Sequence, residues 1–200
     1  MSLSLFKKKN TTITFINFLD CPEKWSPKPT SKFLPEWYKN TPSYINDVKS
    51  PQNESTIKRC VPVFDALTAG YIIPTPTDVF VSIKDNGDID YFPTIPGVLD
   101  YHPKKQAHLH PQSNGFMTPK WLNQWGIKTP KGYSVMFIPP MHNPNPWFEI
   151  LPGIVDTDVF TYPVNFPFVL KETKNNFTIP AGTPMAQVIP FKREEWFSEY

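Results

Sequence analysis

Phe177-Thr178-Ile179-Pro180-Ala181-Gly182-Thr183-Pro184-Met185-Ala186-Gln187-Val188-Ile189 is the stretch on which the fold turns. Two short apolar, β-prone runs flank a Pro-Ala-Gly break. Gly182 stands where a tight turn would make a side chain clash. Upstream lies a second stretch, Pro152-Gly153-Ile154-Val155-Asp156-Thr157-Asp158. Asp156 and Asp158 are two residues apart, so on a strand they would share one face. Two adjacent carboxylates repel, and they need a cation, water or backbone donors to stay ionised. The same residues also commonly cap a tight turn, so a functional site and a structural cap both stay open.

Working outward, Lys128-Thr129-Pro130-Lys131-Gly132-Tyr133 leads into a strand over 132–139, and short strands are expected at 147–150, 164–170, 177–179 and 185–191. Residues 78–84 alternate well and are followed by Asp85-Asn86-Gly87-Asp88 and an apolar run over 89–92. Asn-Gly between two such runs predicts a hairpin whose two central residues both have positive φ. Residues 93–120 read as irregular, and 56–64 with 70–73 open the compact part of the chain. At the N-terminus, 11–18 reads as a strand. It is followed by a Pro- and aromatic-rich arm with one short helix near 35–39. The arm either packs its aromatics on the main body or reaches a neighbouring subunit; left alone it would expose too much apolar surface. Residues 194–200 read as a helical turn or a tail. The division is 1–55 for strand and arm and 56–200 for a β-domain, with 127–192 its best-supported core.

Composition agrees with a mostly β chain. Among 200 residues there are 25 Pro and 8 Gly, so helices and long central strands are interrupted throughout. At 40% hydrophobic and 19% charged, the chain can build a core and is not of the disordered class. A net charge of +2 gives no electrostatic case for nucleic-acid binding, and no specific nucleic-acid binding is expected. Cys21 and Cys60 lack metal-ligand spacing and read as reduced thiols. No signal peptide and no apolar run of about 20 residues is visible, so an intracellular protein without a membrane span is expected.

The segments 152–158 and 177–189, with the Lys128–Tyr133 lead, resemble the third and fourth motifs of the dUTPase / dCTP-deaminase superfamily. Ala69-Gly70-Tyr71 is similar to a further motif, with Ile72 where that family has Asp. The resemblance implies a β-clip or distorted jelly-roll barrel, usually a trimer with sites between subunits. It places Asp156 as the base that orients the attacking water, with Tyr71, Asp158 and Gln187 lining the site. Lys192 or Arg193 would meet phosphate, and Mg²⁺ would be the cofactor of a hydrolase; otherwise none is expected.

The chain departs from that pattern where phosphate is gripped. Val159 or Phe160 stands where the family stacks a Tyr on the deoxyribose. Pro139-Pro140-Met141-His142-Asn143 replaces Arg-Ser-Gly, and no Gly-rich terminal arm follows Arg193. The Glu-bearing strand of the deaminase branch is replaced by Asn165-Phe166-Pro167-Phe168. Triphosphate hydrolysis rests on positioning and charge neutralisation, so a base without phosphate donors has little to act on. The expectation is therefore a non-catalytic, phage-type structural or interaction protein. It would be a homotrimer made in the host cytoplasm, with a place in the virion and contacts to other virion proteins through its arm. The alternative is a nucleotide-binding or nucleotide-hydrolysing enzyme using Asp156. A third reading takes His108-Leu109-His110 with the Pro-Ala-Gly turn as a cupin-like metal set, but Met185 holds the position of the last His. His102 and His142 have no register with it.

Overall fold

The computed structural model describes residues 11–46, 54–107, 109–112, 118–172 and 174–200. In chain order the strands are β1 (Thr14–Asn17), β2 (Lys28–Pro29), β3 (Tyr71–Pro74), β4 (Val79–Ile83), β5 (Ile89–Pro93), β6 (Leu99–His102) and β7 (Thr118–Trp121). They continue as β8 (Trp125–Lys128), β9 (Tyr133–Ile138), β10 (Phe148–Ile150), β11 (Gly153–Val155), β12 (Phe166–Leu170), β13 (Phe177–Ile179) and β14 (Pro184–Lys192). The helices are short: α1 (Glu36–Asn40), α2 (Val61–Thr68) and α3 (Lys104–Ala107).

The protein is mostly β, with four antiparallel sheets ordered β11-β9-β14-β3-β2, β10-β12-β7-β6, β13-β4-β5 and β1-β8. None of them closes on itself, so the expected closed barrel is not formed among the described residues. The edges of the five-stranded sheet are the short strands β11 and β2, and β2 ends in Pro29, which has no N–H to extend the pairing. At the centre of that sheet is β14. It pairs with β3 over Pro184–Val188 and with β9 over Gln187–Lys192, with a bulge between Pro184 and Ala186. Only Gln187 and Val188 are paired on both sides. Pro190, which has no N–H to offer a second neighbour, falls beyond the end of β3.

One apolar core joins the sheets. Trp121, Phe148 and Phe168 are buried and in mutual ring contact, with centroid separations of 5.3–5.5 Å; Trp121 stacks on Phe168, and Phe148 meets both at an angle. Val79, Val81, Ile179 and Val188 complete it from the other sheets. The Pro-Ala-Gly turn is clamped from below: Gly182 N–H donates to the Thr75 carbonyl at 2.8 Å, and Thr75 Oγ1 donates to the Pro180 carbonyl at 2.8 Å. Gly182 has φ +84°, and a Cβ there would come within 2.3 Å of the Trp25 ring. Both the turn and the packing of Trp25 therefore require glycine.

The described part of the arm packs on its own chain. β1 pairs with β8 and β2 with β3. Trp37 Nε1 donates to the His142 carbonyl at 2.9 Å, Asn143 Nδ2 donates to the Phe33 carbonyl at 2.8 Å, and Tyr38 OH donates to the Lys58 carbonyl at 3.1 Å. The core itself contains Cys21 and is packed by Ile13, Phe15 and Trp25, so it draws on both sides of residue 55.

Two further local expectations change, and the C-terminus takes one of its two expected forms. The hairpin forms between β4 and β5, but only Gly87 has positive φ, at 85°. Gly87 N–H donates to the Lys84 carbonyl and Lys84 N–H to the Asp88 carbonyl, each at 2.9 Å, which is a type I turn followed by a bulged glycine. Residues 93–120 are not wholly irregular: β6 pairs with β7, and Lys120 bridges Asp100 at 2.9 Å. Residues 194–200 form a tail with no helical turn. No helix among the described residues is long and apolar enough to cross a membrane.

Candidate functional site

The Asp156/Asp158 pair forms on a turn rather than on a strand. β11 ends at Val155, and the N–H groups of Val159 and Phe160 both donate to the Asp156 carbonyl, at 3.0 and 2.8 Å. Thr157 points inward, buried, with its Oγ1 2.7 Å from Thr129 Oγ1. The turn thereby brings both carboxylates towards the end of β14.

Arg193 is the cation that the pair requires. Antiparallel pairing of β14 with β9 sets Lys192 opposite Tyr133, and Arg193 N–H continues the ladder to the Gly132 carbonyl at 2.8 Å. Its guanidinium then forks onto Asp158, with Nη2 at 2.6 Å from Oδ2 and Nη1 at 3.0 Å from Oδ1. Nη1 also lies 3.0 Å from Asp156 Oδ1 and 2.9 Å from Ser134 Oγ. Asp158 accepts a further bond from Gly132 N–H at 2.7 Å, and Asp156 accepts from Ser134 Oγ at 2.6 Å. The Asp158 side chain is only 4% exposed, whereas that of Asp156 is 58% exposed.

The charge-assisted bonds from Arg193, followed by the Gly132 N–H, hold the Asp158 carboxyl down from its ordinary 3.8 to about 2. Asp158 in turn pushes the Arg193 pKa up. The cluster is a satisfied ionic latch tying the last strand to the turn after β11. Arg193, expected to meet phosphate, is engaged by the carboxylates themselves.

The other expected site residues are not gathered with Asp156. Tyr71 lies on β3 and packs edge-on against Phe15 at 5.1 Å. β3 and β11 are three strand spacings apart in one sheet, about 14 Å. Gly70, beside it, has φ +67°, and a Cβ there would sit 2.0 Å from the Val188 carbonyl oxygen, so the Ala-Gly-Tyr signature is explained by close backbone approach. Gln187 is fully buried. Its Oε1 accepts from Met141 N–H at 2.8 Å, and its Nε2 donates to the carbonyls of Ala66 and Ala69 at 3.0 and 2.9 Å. It caps carbonyls at the C-terminal end of α2 and offers no atom to a ligand. Lys192 is exposed and paired with Glu194 at 2.5 Å.

Among the described residues the cupin-like metal set is not brought together. His108 lies outside the described residues. His110 is exposed, its Nδ1 accepting from Gln112 N–H at 3.2 Å, while Met185 is buried in the core. Among the described residues no group of three or more His, Cys, Asp or Glu is placed to hold one metal ion.

Beside the latch the surface is aromatic. Phe18 meets Tyr162 at 5.8 Å, and Tyr162 meets Phe160 at 5.9 Å, with all three rings exposed. Leu19 and Val159 are exposed next to them in the chain. Asn17 directs the first of these: its Oδ1 accepts from Cys21 N–H at 3.0 Å and its Nδ2 donates to the Cys21 carbonyl at 2.9 Å, which turns the chain and leaves Phe18 and Leu19 outside. Gly126 permits the assembly, because a Cβ there would meet the Thr161 carbonyl oxygen at 2.3 Å and the Phe18 ring at 2.6 Å. No periodicity signals this cluster, since its members come from two distant loops. No protein-family model matches the chain, and no curated protein matches it significantly.

Proposed function

We propose that this protein is a non-catalytic β-domain of the dUTPase-like type, acting as a structural or interaction component that self-associates as a trimer. The observation that carries the reading is the exposed cluster of Phe18, Phe160 and Tyr162 beside an ion pair that already fills the would-be catalytic corner. Exposed, contiguous aromatic surface is unfavourable in water and is the kind of surface that protein contacts cover. It adjoins β11, which among the described residues is an edge strand paired only to β9 and carries the exposed Ile154. An open strand edge next to apolar surface suits pairing with another copy of the chain. Val159 and Phe160, standing where a dUTPase-like site would stack on a sugar, are 80% and 47% exposed. By fold analogy the assembly is a phage-type one, with the virion its place.

A nucleotide hydrolase has one observation in its favour, the exposed carboxylate of Asp156. Pyrophosphate release from dUTP and dCTP with Mg²⁺ separates the two readings. Non-catalytic use predicts release no greater than that of Asp156→Asn. Release that is lost in Asp156→Asn would replace this reading with the enzymatic one.

A further inference from the structure

The N-terminal segment contributes a second surface, distant in sequence from the latch. Lys24 lies in the turn over Glu23–Trp25, Lys28 lies on β2, and Lys32 lies in the turn over Thr30–Phe33. Together with Trp25, Phe33 and Pro74 they line a half-open cleft of about 510 Å³. No carboxylate is among its described lining residues. The Lys24 ammonium sits 4.9 Å from the centroid of the Trp25 ring, and Lys28 Nζ donates to the Lys24 carbonyl at 3.1 Å.

None of the three lysines forms an ion pair among the described residues. Three uncompensated cations around one cleft repel each other, and a polyanion relieves that repulsion. A whole-chain charge of +2 conceals this local concentration.

We propose that this cleft binds a short single-stranded nucleic acid without sequence preference. The lysines would meet successive phosphates while the aromatic lining, Phe33 first, takes a base. Basic side chains along a groove interleaved with aromatic faces are what single strands require. A duplex hides its base faces, and an acidic peptide would leave the aromatic lining without a partner.

The test is fluorescence anisotropy of a labelled oligothymidylate of about 8 nucleotides with the full chain. Three phosphate contacts on a single strand predict a slope of log K against log salt of about −2. The variant K24Q/K28Q/K32Q should bind about tenfold more weakly or worse and should lose most of that slope. Phe33→Leu should weaken binding about 5- to 150-fold while keeping the slope, since it removes stacking and no charge. The lysines are at the surface, so the triple variant is compared at an unchanged melting temperature, and it decides the matter if Phe33→Leu perturbs folding. Absence of binding at low salt would overturn the proposal, as would wild-type affinity in the triple variant. Displacement of the strand by oligoglutamate of equal charge at equal concentration would also overturn it, reassigning the cleft to an acidic peptide.

Discussion

Replacing Gln187 with Leu removes one side chain that ties three backbone groups together. Gln187 is fully buried, and its amide binds Met141 N–H, the Ala66 carbonyl and the Ala69 carbonyl. Leucine fills similar volume but satisfies none of them. The Ala69 carbonyl keeps a second donor, Thr30 Oγ1 at 2.8 Å, so two groups are left without these partners. Each buried orphan costs about 1–3 kcal/mol, and these sites are only partly buried, which places the total at about 2–4 kcal/mol. For a chain of this length that corresponds to a fall in Tm of about 4–16 °C. Urea and thermal unfolding followed by tryptophan fluorescence would measure it. Gln187→Glu should cost at least as much at neutral pH, because it sets a carboxylate against two carbonyl oxygens. Leucine and wild-type stabilities within about 0.5 kcal/mol would refute the clamp and return Gln187 to the candidates for ligand binding.

The latch predicts a pH response. Because the Asp158 pKa is depressed to about 2, its contribution to stability is present above the ordinary carboxylate range and is lost as pH falls from about 4 towards 2. Asp158→Asn should lack that acid-side loss in melting curves recorded across this window; identical wild-type and variant profiles would contradict it. Thiol labelling should distinguish the two cysteines. Cys21 is buried and its pKa is pushed up by that burial, so native protein should label rapidly at Cys60 and at Cys21 only on unfolding. Gly182→Ala, at φ +84° and against the Trp25 ring, should destabilise by more than about 1 kcal/mol in the same unfolding assays.

The strands were legible wherever β-prone runs were short and bounded by breakers. β13 occupies the expected 177–179, and β14 exceeds the expected 185–191 by one residue at each end. Proline is not only a breaker. Pro62 sits in the first turn of α2, where its missing N–H is not needed, and an eight-residue helix follows. β6 and β7 were hidden because the pairing that makes them strands joins residues about twenty apart and is not a local pattern. At the candidate site, the neighbouring carboxylates and their need for a cation were readable. That Arg193 supplies it depends on the register of β14 against β9, a tertiary fact. The basic cleft shows the same limit: Lys24, Lys28 and Lys32 are evenly spaced in the chain, but only folding brings them around Trp25 and Phe33.

The mass of the protein in solution bears most directly on the proposal of a self-associating component. Light scattering on the eluting wild-type peak should give three times the 23.1 kDa chain mass, and Phe160→Ser combined with Tyr162→Ser should reduce it to one while leaving the melting curve cooperative. A wild-type protein that stays monomeric at concentrations well above those of the assay would contradict self-association through this surface.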